Sequence, residues 1–123
     1  MATMSYHLLS GTPANGRGIK LTDTATSVNT DAGYLIHTAV SGTSDIDQVY
    51  IYAMNTDGSD RKLTIEWGGT TSPDDLIEVT IAAESGLVLV VPGLPIQNGL
   101  LIKAFASLAD VITIHGYVHR VTA

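Results

Sequence analysis

The chain has 123 residues, no cysteine and a formal net charge of −6. That length suits one domain, the lack of cysteine removes disulfides and thiolate metal sites and agrees with folding in a reducing cytoplasm, and six scattered Lys and Arg make no basic stripe for nucleic acid. Charged residues are only 15%, against about 25% in an average soluble domain, and hydrophobic residues are 45%, so some apolar surface is expected to meet a partner.

Residues 1–18 carry Gly11, Pro13, Asn15, Gly16 and Gly18 and no core-forming period. They predict an extended N-terminal arm with Tyr6, Leu8 and Leu9 as its only apolar anchors. The arm is expected to dock on a neighbouring subunit, and its deletion to leave the domain of residues 19–123 folded. Residues 1–5 have no basic or long apolar segment, so no secretory signal is expected. The longest apolar run, 87–91, is too short to span a membrane.

Strand patterns then alternate with turn signals. Residues 21–30 are Thr-rich and predict an edge strand, and 34–40 a strand after Asp31-Ala32-Gly33. Residues 49–55 are β-branched and aromatic. The stretch 55–60 contains Asp57-Gly58, a hairpin signal because that pair tolerates positive φ. In 62–67 Leu63, Ile65 and Trp67 alternate with Lys62, Thr64 and Glu66, which predicts a half-buried strand with Trp67 in the core rather than serving as a sugar platform. Ile77, Val79 and Ile81 alternate with Glu78 and Thr80. Residues 87–91 are apolar on both faces, and Pro92-Gly93 is expected to end that strand. Residues 95–99 predict a turn, and 100–106 a strand in preference to a helix. In 111–121 Ile112, Ile114 and Val118 share one face, and Thr113, His115, Tyr117 and His119 the other. The expected core includes Ile36, Ile51, Leu63, Ile65, Trp67, Val79, Leu89, Ile112 and Ile114. Strands every 10 to 14 residues or so, with no amphipathic helix between them, predict an all-β fold: one antiparallel β-sandwich of about eight strands, jelly-roll-like.

Catalytic chemistry has no motif to rest on. His115 and His119 lie four apart on one strand, roughly 13 Å between their roots, too far for one metal ion; an approach of His37 to His115 across strands stays open. Asp45-Ile46-Asp47 and Asp57-Gly58-Ser59-Asp60 do not complete a calcium loop. There is no Gly-x-Ser-x-Gly elbow, although composition alone leaves a Ser-His-Asp site open. No catalytic, metal or cofactor residue is therefore assigned, and no enzyme is expected.

Several phrases carry a resemblance. They are Val49-Tyr50-Ile51-Tyr52-Ala53-Met54-Asn55-Thr56, Leu63-Thr64-Ile65-Glu66-Trp67-Gly68-Gly69-Thr70-Thr71-Ser72-Pro73-Asp74-Asp75, Gly86-Leu87-Val88-Leu89-Val90-Val91-Pro92-Gly93 and Val111-Ile112-Thr113-Ile114-His115-Gly116-Tyr117-Val118. Together they resemble small virion proteins of tailed bacteriophages, most of all head decoration (cement) proteins. That resemblance implies a β-sandwich that forms a homotrimer and clamps the major capsid protein on the outer surface of the head, after synthesis in the host cytoplasm, with no membrane or direct nucleic-acid contact. Tyr6, Leu8, Leu9, Thr113, His115, Tyr117 and His119 are the candidate interface residues. The alternative is a receptor- or carbohydrate-binding module of a head fibre or tail fibre, with Tyr50, Tyr52 and Tyr117 as its aromatic platform.

Overall fold

The computed structural model describes residues 2–13, 15–22 and 34–123. Nine strands make up the fold, β1(Thr3–Leu8), β2(Ile19–Lys20), β3(Tyr34–Thr38), β4(Ile46–Asn55), β5(Arg61–Trp67), β6(Leu76–Ile81), β7(Val88–Ile96), β8(Leu101–Ala106) and β9(Ile112–Thr122), with no helix among the described residues. One antiparallel sheet has the order β1-β9-β4-β7, with β2 following β1 along the same edge of β9. The second has the order β3-β8-β5-β6. From β3 onward every connection except β5 to β6 passes from one sheet to the other. This order is compatible with a jelly roll whose first strand is split into β1 and β2.

The period-2 pattern explains the packing. Val49, Ile51 and Ala53 of β4 and Ile112, Ile114 and Val118 of β9 meet Leu63 and Ile65 of β5 and Ile102, Ala104 and Ala106 of β8 in one closed core. Tyr34, Trp67, Ile77 and Val79 border it, half-buried. β8 is a strand, as the sequence predicts, because its alternate residues Ile102, Ala104 and Ala106 fill the space between sheets.

The structure corrects four local expectations. Asp57-Gly58 does not make a hairpin, because β4 and β5 belong to different sheets. The connection is an arch held by buried Asn55, whose side-chain nitrogen donates to the carbonyls of Ser59 (2.9 Å) and Ile81 (3.0 Å) and whose side-chain oxygen accepts from the Asp57 amide (2.9 Å). Pro92-Gly93 does not end β7. As the edge strand it needs no second row of hydrogen bonds, so it tolerates Pro92 and Pro95, and bulges at Val49/Tyr50 and Ile51/Tyr52 absorb the extra residues. One of those bulges moves Leu89 outward, 49% exposed, although it was expected in the core. Finally, Thr64 and Glu66 are buried on the outward face of β5. β5 is an interior strand, and Phe105 and Lys103 of β8 stand directly opposite them.

The N-terminal segment is extended, and its partner is this chain's own β9. β1 pairs residue for residue with the second half of β9, from Thr3 opposite Thr122 to Leu8 opposite Tyr117. The chain then crosses to the other sheet, where the Gly11 amide donates to the Ile36 carbonyl at 2.9 Å, and returns as β2. Of the strand expected over 21–30, residues 23–30 lie outside the described residues; Leu21 is buried and donates its amide to Ile112.

Candidate functional site

The outer face of the first sheet is the candidate site. Alternation sends Ile46, Gln48, Tyr50, Tyr52 and Met54 of β4 to the side opposite the core, and cross-strand pairing places Thr113, His115, Tyr117, His119 and Val121 of β9 beside them. β1 adds Met4, Tyr6 and Leu8, and β7 adds Leu89, Pro92 and Pro95. None of these outward positions is Asp, Glu, Lys or Arg. Lys20 of β2 stands at the edge of this face, opposite Thr113, and is 3.9 Å from Asp110. The outward face of the second sheet differs, with Lys62 and Glu78 paired across it at 3.0 Å.

An aromatic cluster lies at the centre. Tyr50 and Tyr117 face each other across β4 and β9 and stack, with ring centroids 4.8 Å apart and planes 13° from parallel. His119 meets Tyr6 edge-on at 4.5 Å and Tyr50 at 5.2 Å. Its Nε2 is buried, with no hydrogen-bond partner among the described residues. Gly93 lets Tyr50 lie flat: a Cβ there would come within 2.9 Å of the Tyr50 ring, and its φ of 88° is a left-handed value that suits glycine. Partial desolvation, with the neighbouring Tyr52 and Tyr50 hydroxyls, holds the Tyr117 phenol above its ordinary value. Tyr6 is 77% exposed, so this aromatic cluster is open to a partner.

The expected interface residues are therefore brought together with one exception. Tyr6, Leu8, Thr113, His115, Tyr117 and His119 share the face. Leu9 does not: the chain turns inward there, and Leu9 packs against the core, 3.2 Å from where a Gly116 Cβ would stand. Sequence reasoning left Met4, Ile46, Met54, Leu89 and Val121 off the face. The signal for Ile46 and Met54 was present as an uncharged outward phase in 46–54, but phase alone does not say which strands are neighbours.

A second polar group sits between the sheets. His37 of β3 and Asp47 of β4 are 1% and 0% exposed. His37 Nε2 and Asp47 Oδ2 are 2.9 Å apart, and Arg120 of β9 donates to Asp47 through Nε (2.7 Å) and a terminal nitrogen (3.1 Å). The Ser10 amide donates to His37 Nδ1 at 3.1 Å, which leaves the proton on Nε2 for Asp47. Burial holds the His37 imidazole below its ordinary value against the hydrogen bond and charge of Asp47; Arg120 and His7 lower it further. Burial also opposes ionisation of Asp47, but hydrogen bonds from Arg120, His37 and Val40 outweigh it and keep the carboxyl below the usual range.

Ser10, His37 and Asp47 thus follow one another in the order of a hydrolytic triad. Ser10 Oγ lies 3.1 Å from His37 Nδ1. Ser10 Oγ accepts from the Thr38 amide at 2.7 Å, and the neighbouring Gly11 amide, the natural oxyanion donor, is given to Ile36. The group staples the N-terminal crossing to both sheets. His37 points into the sandwich and His115 outward, so the two do not meet. No group of three or more His, Cys, Asp or Glu among the described residues is placed to hold a metal ion, and no helix there is long and apolar enough to cross a membrane.

Compared with known proteins, no family model matches the chain and no curated protein matches it.

Proposed function

We propose that this protein is an assembly protein whose uncharged sheet face is buried against copies of itself in a homotrimer, and that the trimer decorates a phage head by binding the major capsid protein. The observation that carries the self-association is the absence of Asp, Glu, Lys and Arg from the outward positions of β1, β9, β4 and β7, combined with exposed Met4, Tyr6 and Leu8 along the β1 edge. Charged residues are depleted and tyrosine and methionine enriched at the buried centre of interfaces, and a cyclic arrangement buries the same patch on every copy. The capsid as final partner rests on the resemblance of the strand phrases to decoration proteins. Repetition over a shell would make many modest contacts effective together.

The test is mass by light scattering at micromolar concentration, with co-purification on phage heads as the second readout. A trimer is expected. Tyr6→Glu, at a position exposed in the single chain, should weaken association at least tenfold while leaving the circular dichroism unchanged, because a carboxylate would have to be desolvated in the interface. A monomeric wild-type protein would overturn the reading. A trimer indifferent to Tyr6→Glu would move the interface away from this face.

A further inference from the structure

At one end of the sandwich the 68–75 loop after β5, the turn between β7 and β8, and the loop between β3 and β4 border an open cleft of about 460 Å³. That is within the range of small-molecule sites. Trp67 lines it, half-buried, and also packs against the core. Asp75, Gln97, Asn98 and Thr43 supply the polar part of the lining.

The walls are tied before any ligand arrives. The Trp67 amide donates to the Asp75 carbonyl at 2.7 Å, and Asp75 Oδ2 accepts from the Thr71 amide at 3.0 Å. Gly69 makes room for that carboxylate, since a Cβ there would stand 2.5 Å from Oδ2. With its amide turned so that both groups are satisfied, the Gln97 side-chain nitrogen donates to the carbonyls of Thr43 (3.3 Å) and Asp45 (3.0 Å), joining two of the bordering loops. Asn98 and Gly99, both at φ 66°, make the tight turn that carries the Asn98 amide.

The chemistry of the lining selects among ligands. No Lys, Arg or His lines the cleft, so an anion finds no counter-charge. A wholly apolar ligand would strip water from a carboxylate and two amides and return no hydrogen bond. A ligand with one C–H face to lay on the indole and a rim of hydroxyls for the carboxylate and amides satisfies both halves. We infer that this cleft binds a neutral saccharide, stacked on Trp67 and hydrogen-bonded by Asp75, Gln97 and Asn98. The site is at the end of the sandwich, apart from the sheet face proposed for self-association, and neither reading depends on the other.

Trp67 is the only tryptophan in the chain, so its fluorescence reports on this cleft alone. The experiment titrates the full-length protein with neutral hexoses, N-acetylhexosamines and their short oligomers up to tens of millimolar, reading tryptophan emission. A saturable change with at least one of them is expected. Asn98→Gly, which keeps the positive-φ turn, and Asp75→Asn, which keeps the side-chain shape, should each weaken that binding about tenfold with the melting temperature close to wild type. Saturation-transfer NMR on the same sugar supplies a readout that does not depend on the indole. No saturable response across the panel would overturn the inference, as would a response unchanged in both variants or one produced only by a metal cation. Tyr6→Glu should leave the titration unaffected, so loss of sugar binding and loss of self-association are read separately.

Discussion

At the residue scale, the pairing of His37, Asp47 and Arg120 makes stability depend on pH in a definite direction. The unfolded chain takes up a proton on His37 near its ordinary value of 6.5, and the folded chain only at a lower pH, because burial lowers the imidazole. Stability from this group is therefore complete above 6.5. It declines as pH falls from there to the folded value, by at most about 1.4 kcal/mol per pH unit. Asp47 acts lower down: its contribution is present above 3.8 and is lost only as pH falls further. Denaturant unfolding from pH 8 to 5 should show the first decline, and His37→Gln should flatten it; an equal slope in both proteins would remove His37 as the cause. Asp47→Ala should cost about 3–5 kcal/mol, since it leaves Arg120, the His37 Nε2 proton and the Val40 amide without their shared acceptor. A chemical melt close to wild type would count against that role.

At the element scale, the N-terminal crossing closes the sandwich. β1 supplies the hydrogen-bonding partner for the second half of β9, and Ser10 and Gly11 fasten the chain to β3 on the other sheet. Removing residues 2–11 bares one edge of β9 and leaves His37 Nδ1 without its donor. A truncated protein should therefore unfold at clearly lower denaturant than the full chain, and its exposed strand edge should promote aggregation. Gly11→Ala tests the same crossing with one atom. Its Cβ would lie 2.5 Å from the Leu35 carbonyl oxygen and 2.7 Å from that of Ile36, both backbone atoms, so the crossing segment must move. A loss of roughly 1–3 kcal/mol is expected, measured by urea unfolding; an unchanged midpoint would show that the crossing adds little.

At the scale of the whole molecule, the charges are segregated. The net charge of −6 is carried away from the outer face of the first sheet, so the self-association proposed through that face would be driven by apolar and aromatic burial rather than by ion pairs. Self-association should then persist, or strengthen, between low and molar salt, because screening has no interfacial ion pair to weaken and does reduce repulsion between acidic copies. Sedimentation velocity across that range checks this. Dissociation at high salt would point to an ionic contact elsewhere on the surface.

Much of this was legible from one chain of letters, and the rest was not, for a physical reason. Alternation is a local property: a residue's phase along a strand depends only on its neighbours, so the inward set Ile51, Leu63, Ile65, Ile112 and Ile114 and the outward set Thr113, His115, Tyr117 and His119 could be read directly. Strand rather than helix in 100–106 was read from its flanks, Gly99 before it and Asp110-Val111 after it, and the strand is there, although β8 and β9 lie in different sheets and form no hairpin. Which strand lies beside which is a long-range property, decided by how two sheets close over a shared core. That decision made Asp57-Gly58 an arch, carried β7 past Pro92 and Pro95 because it is an edge, buried Glu66 on an interior strand, and brought Tyr6 against His119. It also placed Ser10 and Asp47 on opposite sides of His37, residues 27 and 10 positions away in the chain. Nothing in their local sequence marks such a meeting, since each makes its hydrogen bonds only after the sheets have packed.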